Sequence, residues 1–196
     1  MDISSRDVTR LTPTARVILG MLRLGARTGY EIRSFVEIST RFFWGASYGQ
    51  IYPELRRLAE AGLVEAEDDP RGGIQRRAYR LTRAGESALH ESLTAPTELI
   101  FEYRDEALLR TFFGDVLSHD DVLANARHAR AEFAEVVARF RAIEPRAQAA
   151  AHEGEVFPYV ALLFGIGLMG WIAAWYAELE RRLEAGEPLV PPPPEA

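Results

Sequence analysis

The side chains best suited to recognition chemistry are concentrated between residues 47 and 60. Gln50 can hydrogen-bond to the edge of an adenine, and an arginine such as Arg56 or Arg57 can hold a phosphate or a guanine. Gly49 has no side chain, so it allows the backbone to approach a ligand closely. These residue types indicate binding to a nucleic acid rather than a catalysed reaction.

The rest of the composition offers little other chemistry. The chain has no cysteine, which excludes disulfides, thiolate metal sites and cysteine nucleophiles. The sequence shows no Ser-His-Asp arrangement, phosphate loop or dinucleotide-binding glycine motif. We therefore expect no enzymatic activity, no cofactor and no metal ion. The four histidines lack metal-ligand spacing and are expected at the surface; they are His90, His119, His128 and His152.

Charge is distributed unevenly along the 196 residues, whose formal net charge is −6. Residues 1–95 contain 14 arginines and 12 acidic residues, a net charge of +2. Residues 96–196 contain 9 arginines and 17 acidic residues, a net charge of −8. Because an acidic surface repels phosphate, contact with DNA is expected only in the N-terminal half.

Helix-start patterns occur three times in the N-terminal half. Thr12 followed by Pro13 predicts the first helix. The spacing of Thr28 and Glu31 predicts a capping box at the second, and residues 47–50 predict another at the third. The third helix is predicted to have an apolar core face, with Ile51, Leu55 and Leu58, and a polar face, with Gly49, Pro53, Arg56, Arg57 and Glu60. Pro53 is expected just beyond the first turn, at the loss of one helical hydrogen bond.

Two short strands are predicted at residues 63–67 and 77–81, separated by the turn-forming residues 69–73. Tyr79 is expected to pack beneath them, and Thr82 to begin a linker helix that extends to about residue 93. Three short helices followed by a hairpin constitute a winged helix-turn-helix. The wing carries three arginines that are expected to enter the minor groove or contact the DNA backbone, namely Arg71, Arg76 and Arg77.

The second half is predicted to be helical throughout. Residues 98–117 form one predicted helix, and the heptad pattern of residues 118–143 is typical of a coiled-coil seam. Pro145 and Gly154 are expected to enclose a break before an apolar helix at about 156–185. The two long helices are expected to pair the chain with a second copy through Val122, Ala126, Ala129, Phe133, Val136, Phe140, Phe164, Trp171 and Trp175.

The apolar final helix has other interpretations. Residues 156–177 contain no charged residue and are long enough to span a bilayer, but a helix that is apolar all round is equally well buried in a dimer core. Its aromatic residues either pack that dimer or enclose a small aromatic or hydrophobic effector. The candidate effector-binding residues are Phe157, Tyr159, Trp171, Trp175 and Tyr176.

Several motifs resemble the PadR family of transcriptional regulators. The resemblance is carried by Ser47-Tyr48-Gly49-Gln50-Ile51-Tyr52-Pro53-Glu54-Leu55-Arg56-Arg57-Leu58, by Gly29-Tyr30-Glu31-Ile32 and by Tyr79-Arg80-Leu81-Thr82-Arg83-Ala84-Gly85. Arg104-Asp105-Glu106-Ala107-Leu108-Leu109-Arg110 and Phe112-Phe113-Gly114 are similar to the opening of the longer PadR C-terminal domain, and Gly165 and Trp175 to residues of its last helix. The resemblance implies that the helix with Tyr52 and Pro53 is the DNA recognition helix.

The sequence thus predicts a mainly α-helical fold with a small β-hairpin wing. Residues 12–95 form a winged helix-turn-helix DNA-binding domain and residues 96–186 a helical dimerisation domain, with tails at 1–11 and 187–196. The predicted DNA-binding residues are Thr28, Tyr30, Ser47, Tyr48, Gly49, Gln50, Tyr52, Arg56, Arg57, Arg71, Arg76 and Arg77. For Tyr30 and Tyr52, a phosphate contact and a hydrogen bond between helices are equally compatible with the sequence.

The predicted function is that of a cytoplasmic, effector-responsive repressor. It is expected to act as a homodimer on a pseudo-palindromic site in double-stranded DNA, without a membrane partner. The alternative is a winged-helix adaptor that binds a protein or a membrane through its apolar final helix.

Overall fold

The computed structural model describes residues 11–44, 48–68, 77–96 and 104–190, with the backbone alone at Arg41, Tyr48 and Asp68. The chain divides into two compact units, Met1–Leu99 and Ile100–Ala196. Helices dominate both units, and the first also contains a two-stranded sheet. This mainly helical architecture with one small hairpin confirms the predicted fold class.

The first unit begins with helices α1 (Pro13–Arg23), α2 (Gly29–Ile38) and α3 (Ile51–Glu60). Strands β1 (Val64–Asp68) and β2 (Arg77–Leu81) follow and pair antiparallel, with Ala66 opposite Tyr79. Helix α4 (Arg83–Thr94) completes the unit, and short 3-10 turns at Thr40–Phe42 and Tyr48–Gln50 lie between α2 and α3. The hairpin therefore forms as predicted, with β1 beginning one residue later than expected.

Threonine hydroxyls begin three of these helices. Thr12 Oγ1 accepts the N–H of Ala15 at 3.0 Å, and Thr82 caps α4 in the same way. The predicted capping box of α2 is complete, because Thr28 Oγ1 accepts the N–H of Glu31 while Glu31 Oε2 accepts the N–H of Thr28. Each such cap stabilises its helix by about 1 kcal/mol.

The core of the first unit lies between α1, α2, α3 and the hairpin. Its most deeply buried side chains are Ile18, Leu19, Ile32, Val36, Ile51, Leu55 and Leu58. Tyr79 of β2 is buried beside them, as predicted, and its N–H donates to the carbonyl of Arg27 at 2.6 Å. That hydrogen bond joins the hairpin to the loop between α1 and α2.

Gly85 permits the closest approach in this unit. A Cβ at residue 85 would lie 2.0 Å from the carbonyl oxygen of Leu63, well inside van der Waals contact. The same oxygen accepts the N–H of Thr82 at 3.2 Å and its hydroxyl at 3.1 Å. The first turn of α4 can therefore lie against the turn between α3 and β1 only because residue 85 has no side chain.

The second unit is a long helical hairpin with a short helix against it. Helix α5 (Glu106–Phe112) and a 3-10 turn at Gly114–Val116 precede α6 (His119–His152) and α7 (Val156–Ala185). Gly154, with a φ of +114°, lies at the turn between the two long helices, where its positive φ favours glycine. Glu180 of α7 receives hydrogen bonds from two arginines of α6, Arg127 at 3.2 Å and Arg130 at 2.6 Å.

The predicted heptad seam of α6 packs against α7 of the same chain. Ala126 and Ala129 are buried there together with Ile172, and the ring of Phe133 stacks on Tyr176 with centroids 5.9 Å apart. Phe140 is also buried, whereas Val122 and Val136 are half-buried. Much of the seam is thus already used within one chain, which leaves less of α6 for a second copy than the sequence suggested.

Two helix boundaries of the second half were predicted wrongly. Residues 98–117 do not form one helix, because Asp105 is an N-cap whose Oδ1 accepts the N–H groups of Ala107 and Leu108. Pro145 does not end α6, which continues to His152. Proline removes its own N–H bond and its ring crowds the carbonyl four residues before it, but Pro145 lies on an exposed side where the freed carbonyl can be hydrated.

Candidate nucleic-acid interface

Helix α3 is anchored by its apolar face. Ile51, Leu55 and Leu58 are each at most 2% exposed. Arg56 lies on the other side of the helix, is exposed, and makes no ion pair with a described residue. A buried face opposite a free guanidinium is the arrangement that a recognition helix requires, because the helix must be held while its polar side reaches the DNA.

The start of α3 differs from the prediction. The α-helix begins at Ile51 with Gln50 as its N-cap and without a side-chain cap, so the expected capping box does not begin it. Ser47, its other member, lies outside the described residues. Gln50 is exposed, and its Oε1 accepts the hydroxyl of Thr14 at 3.3 Å. Pro53 is now the third helical residue, whose N–H is unpaired in any α-helix, so the expected loss of a bond there was wrong.

A hydrogen-bond network joins the start of α1 to α3. The hydroxyl of Thr12 donates to Glu54 Oε1 at 2.6 Å. Arg57 donates to the same carboxylate twice, from Nε to Oε2 at 3.0 Å and from Nη2 to Oε1 at 2.7 Å. These hydrogen bonds from Arg57 lower the pKa of Glu54 against the opposing effect of burial, and they raise the pKa of Arg57. Arg57 is therefore neutralised within the helix, unlike Arg56.

The opposite edge of α3 lies against α2. The ring of Tyr52 covers Gly29 so closely that a Cβ at residue 29 would lie 2.6 Å from Tyr52 Cε1. Tyr52 and Tyr30 are nevertheless 54% and 62% exposed, so both rings are accessible to a ligand. Thr28 is only 5% exposed and its hydroxyl caps α2. Its burial does not fit the predicted DNA contact, and its role is to begin α2.

A cation–π contact supports the segment that leads to α3. The guanidinium carbon of Arg16 lies 5.3 Å from the centre of the Trp44 ring. Arg16 Nε is buried and has no hydrogen-bond partner among the described residues.

The sequence analysis did not select Arg16, Trp44 or Glu54 as site residues. Of these three, only Glu54 had a visible signal, which is its spacing of three residues from Arg57 on a helix.

The wing is described only in part. Arg77, at the start of β2, is exposed, whereas Arg71 and Arg76 lie outside the described residues. Arg80 forms ion pairs across the hairpin with Glu65 and Glu67. Arg77 is therefore the predicted wing contact whose exposure fits a role at the DNA. Gly49 is exposed beside α3, and for Tyr48 the backbone alone is described.

Helix α7 carries an exposed apolar stripe in addition to the residues that pack on α6. Its members recur at spacings of three and four residues, and they are Phe157, Val160, Phe164, Leu168, Trp171 and Trp175. Phe157, Phe164 and Trp171 are 82%, 69% and 65% exposed. At 1.5 Å per residue the stripe is about 27 Å long. We refer to these six residues as the outer stripe.

The residues predicted to enclose an aromatic effector do not lie close to one another. Phe157 and Tyr176 lie on one continuous helix and are about 28 Å apart along its axis, too far for one small ligand to contact both. Tyr176 is 1% exposed, and burial raises the pKa of its hydroxyl. The edge of the Trp175 ring meets Tyr176 at a centroid distance of 4.9 Å, which makes Tyr176 part of the packing of the hairpin.

By length and composition, α7 could cross a membrane, with a mean hydropathy of 1.9 in its most apolar window. Its packing partner α6 is much more polar. Phe140 of α6 contacts Gly165 near the middle of the apolar span, and Arg139 and Arg141 on either side of Phe140 are exposed. A bilayer around this hairpin would have to accommodate those arginines, which is costly. The four histidines are exposed, as predicted.

The fold of the first unit, three helices followed by a two-stranded hairpin, is that of a winged helix-turn-helix, and α3 is its candidate recognition helix. Residues 18–91 match the model of the transcriptional regulator PadR-like family, and residues 103–184 match that of the virulence activator alpha C-terminal domain. Residues 18–91 thus resemble a PadR-like domain, and the chain is similar to the PadR-like family of transcriptional regulators.

Known relatives support this assignment. The negative transcriptional regulator PadR of Bacillus subtilis is 33% identical over 105 residues, 53% of this chain and 58% of PadR. The chain thus spans less than two thirds of the length of the curated relatives that it matches. The structure of the Vibrio cholerae virulence activator AphA is 27% identical, with a TM-score of 0.64 over 88% of this chain and 99% of AphA.

Two complexes of Bacillus subtilis PadR have the same fold. The complex with operator DNA superimposes with a TM-score of 0.75 at 23% identity, over 86% of this chain and 96% of PadR. The complex with p-coumaric acid has a TM-score of 0.60 at 22% identity, over 88% of this chain and 99% of PadR.

Proposed function

We propose that this chain is a DNA-binding transcriptional repressor that acts as a homodimer and responds to a small aromatic effector. The observation that carries the DNA-binding part is the exposed Arg56 on α3, which forms no ion pair with a described residue and lies opposite a fully buried face. Tyr52 lies on the same edge of α3 as Arg56, Gln50 is exposed at the N-cap of the helix, and Arg77 is exposed on the wing. These side chains offer hydrogen bonds to phosphates and to base edges.

The relatives favour repression and an aromatic effector. Bacillus subtilis PadR is named a negative regulator, and its complexes contain operator DNA or p-coumaric acid. By analogy, we propose that an aromatic acid or a similar small molecule weakens DNA binding by this chain. Because the candidate residues are spread along α7, only a subset, such as Trp171 and Trp175, could contact one such ligand.

The outer stripe is the surface that we assign to homodimerisation. Its six apolar side chains would otherwise expose an apolar band about 27 Å long to water, which soluble monomers rarely do. A second copy of the same helix can cover it, because a two-fold interface places the same patch on both partners. This assignment keeps Phe164, Trp171 and Trp175 as dimerisation residues. Residues of the seam such as Ala126 and Phe140 instead hold α6 to α7.

Dimerisation would also explain how a small unit can bind DNA with specificity. One α3 helix contacts few base pairs, and two of them at a spacing of about 34 Å span half-sites one helical turn apart. The protein would then work in the cytoplasm, with the outer stripe buried in the dimer rather than in a lipid bilayer.

In vitro selection of duplex DNA by the purified full chain tests the proposal. We expect the recovered sequences to share a pseudo-palindrome, and an excess of suitable aromatic acids to release the protein from it. Recovery of unrelated sequences after several rounds, with no enrichment, would contradict sequence-specific binding. Addition of liposomes to the same protein tests the alternative, because an adaptor with a membrane-binding α7 would partition into them.

A further inference from the structure

We propose that Glu54 is a specificity-determining residue that withholds Arg57 from the DNA backbone, so that Arg56 alone of this pair supplies a phosphate contact. This inference rests on the proposed DNA-binding function of α3 and assigns opposite roles to two adjacent arginines. Glu54 would lower affinity for DNA of any sequence and thereby raise the relative weight of base contacts.

The geometry of the Glu54–Arg57 pair supports the assignment. Arg57 presents the fork of Nε and Nη2 to the carboxylate, with donor–acceptor distances of 3.0 Å and 2.7 Å. The same fork would grip a phosphate or a guanine, so Arg57 cannot present its Nε–Nη2 fork to DNA while it is paired with Glu54, and the carboxylate offsets its positive charge. Exchange of the carboxylate for a phosphate would leave Glu54 as an unpaired anion beside the DNA.

Glu54 is held in place more firmly than a typical surface acid. Its side chain is only 13% exposed, against 50% for that of Arg57. Thr12 supplies a third hydrogen bond at 2.6 Å, and Thr12 is itself fixed because its hydroxyl caps α1. An isolated surface pair would be weak and easily exchanged, whereas a bidentate carboxylate with a third donor is better ordered.

Arg56 has no such restraint. It makes no ion pair with a described residue, although it is adjacent to Arg57 on the same polar face. At about 100° per residue, Arg57 lies on the edge of α3 that faces α1, together with Gln50 and Glu54. Arg56 lies on the edge with Tyr52, which faces α2. The two arginines are therefore not interchangeable.

The salt dependence of binding to a duplex without an operator measures the number of phosphates neutralised. Each phosphate contact contributes about 0.9 to the slope of log affinity against log salt concentration, or about 1.8 for a dimer with two recognition helices. We expect E54Q to steepen the slope by about 1.8, because it frees both Arg57 side chains. The variant R57A alone should leave the slope of the wild type unchanged, and the double variant E54Q/R57A should match R57A.

The matched control is E60Q, which removes the same formal charge from the exposed end of α3 without freeing an arginine. An equal change of slope in E54Q and E60Q would overturn the proposal, since it would reflect net charge alone. A slope that falls by about 1.8 in R57A would also overturn it, because Arg57 would then already contact phosphate. The R57A result decides the question even if E54Q fails to fold. If the wild type bound duplex DNA with no salt dependence, the proposed function itself would fail.

Discussion

Replacement of Trp171 by alanine should weaken the association of two chains while leaving the stability of a single chain almost unchanged. Trp171 is 65% exposed, so W171A should change the stability of the protomer little. A tryptophan side chain buries up to about 250 Å², so about 160 Å² remains for a partner to cover. At about 25 cal/mol per Å², complete coverage is worth about 4 kcal/mol in each protomer.

The expected effect on the dimer is large, because both protomers carry the change. Even if a partner covers only half of the exposed area, the two substitutions weaken association by about 4 kcal/mol. That corresponds to an increase of about a thousandfold in the dimer dissociation constant. Sedimentation across a range of protein concentrations measures it directly, and thermal unfolding at a fixed concentration separates it from loss of the fold.

The matched control is F43A. Phe43 is 64% exposed, nearly the same as Trp171, but it belongs to the first unit and lies outside the outer stripe. F43A should leave the dissociation constant unchanged. If W171A remains as tight a dimer as the wild type, or if F43A dissociates as readily as W171A, the outer stripe is not the dimer interface.

Three further predictions concern the first unit. G85A should lower the free energy of unfolding by about 1–3 kcal/mol, because its Cβ would overlap the carbonyl of Leu63. G20A is the control, because a Cβ at residue 20 of α1 would meet nothing within 4 Å, and it should raise the free energy of unfolding by about 0.5–1 kcal/mol. Equal effects of G85A and G20A in chemical denaturation would refute the close approach of Gly85 to Leu63. R16A should weaken operator binding with little loss of secondary structure, because the Trp44 segment loses its cation–π contact; unchanged affinity would show that this contact does not position α3. Because the pKa of Glu54 is lowered by its hydrogen bonds from Arg57, ionised Glu54 stabilises the fold above pH 4.5. This stability is lost as the pH falls through the folded-state pKa, so E54Q should flatten the acid limb of the pH–stability curve measured by thermal unfolding. An acid limb in E54Q as steep as that of the wild type would contradict this role of Glu54.

Local patterns in the sequence were sufficient for most of the first unit. The helix starts at Thr12, Thr28 and Thr82 depend on side-chain caps that act within four residues, and the sequence displays them directly. The turn from α3 to β1 at Gly62, with a φ of +69°, is equally local. The core face of α3 followed from its periodicity, because the helix has only one apolar side.

Contacts between distant residues could not be predicted in this way. Thr12 and Glu54 are 42 positions apart, and nothing in either segment indicates that they meet. The distinction between Arg56 and Arg57 therefore became visible only in the structure. Asp105 begins α5 as an N-cap, a local signal that the prediction of one helix over residues 98–117 did not use.

In the second unit, the sequence pattern could not identify which helix packs against α6. A heptad pattern predicts that a helix has a packing partner but does not say whether the partner belongs to the same chain. The structure shows that Ala126, Ala129 and Phe140 are buried within one chain, and leaves the outer stripe of α7 exposed. Aromatic residues of one helix do not enclose one ligand merely because they are near in sequence, since a helix rises 1.5 Å per residue and Phe157 lies about 28 Å from Tyr176 along α7.

The central claim is that α3 contacts DNA through Arg56, and the salt dependence of operator binding by R56A tests it most directly. Fluorescence anisotropy with a labelled duplex gives the affinity at each salt concentration, and R146A is the control, because Arg146 is exposed in the acidic second unit. We predict that R56A lowers the slope of log affinity against log salt by about 1.8 for the dimer, while R146A does not. A folded R56A protein that binds the operator with the affinity and slope of the wild type would contradict the claim.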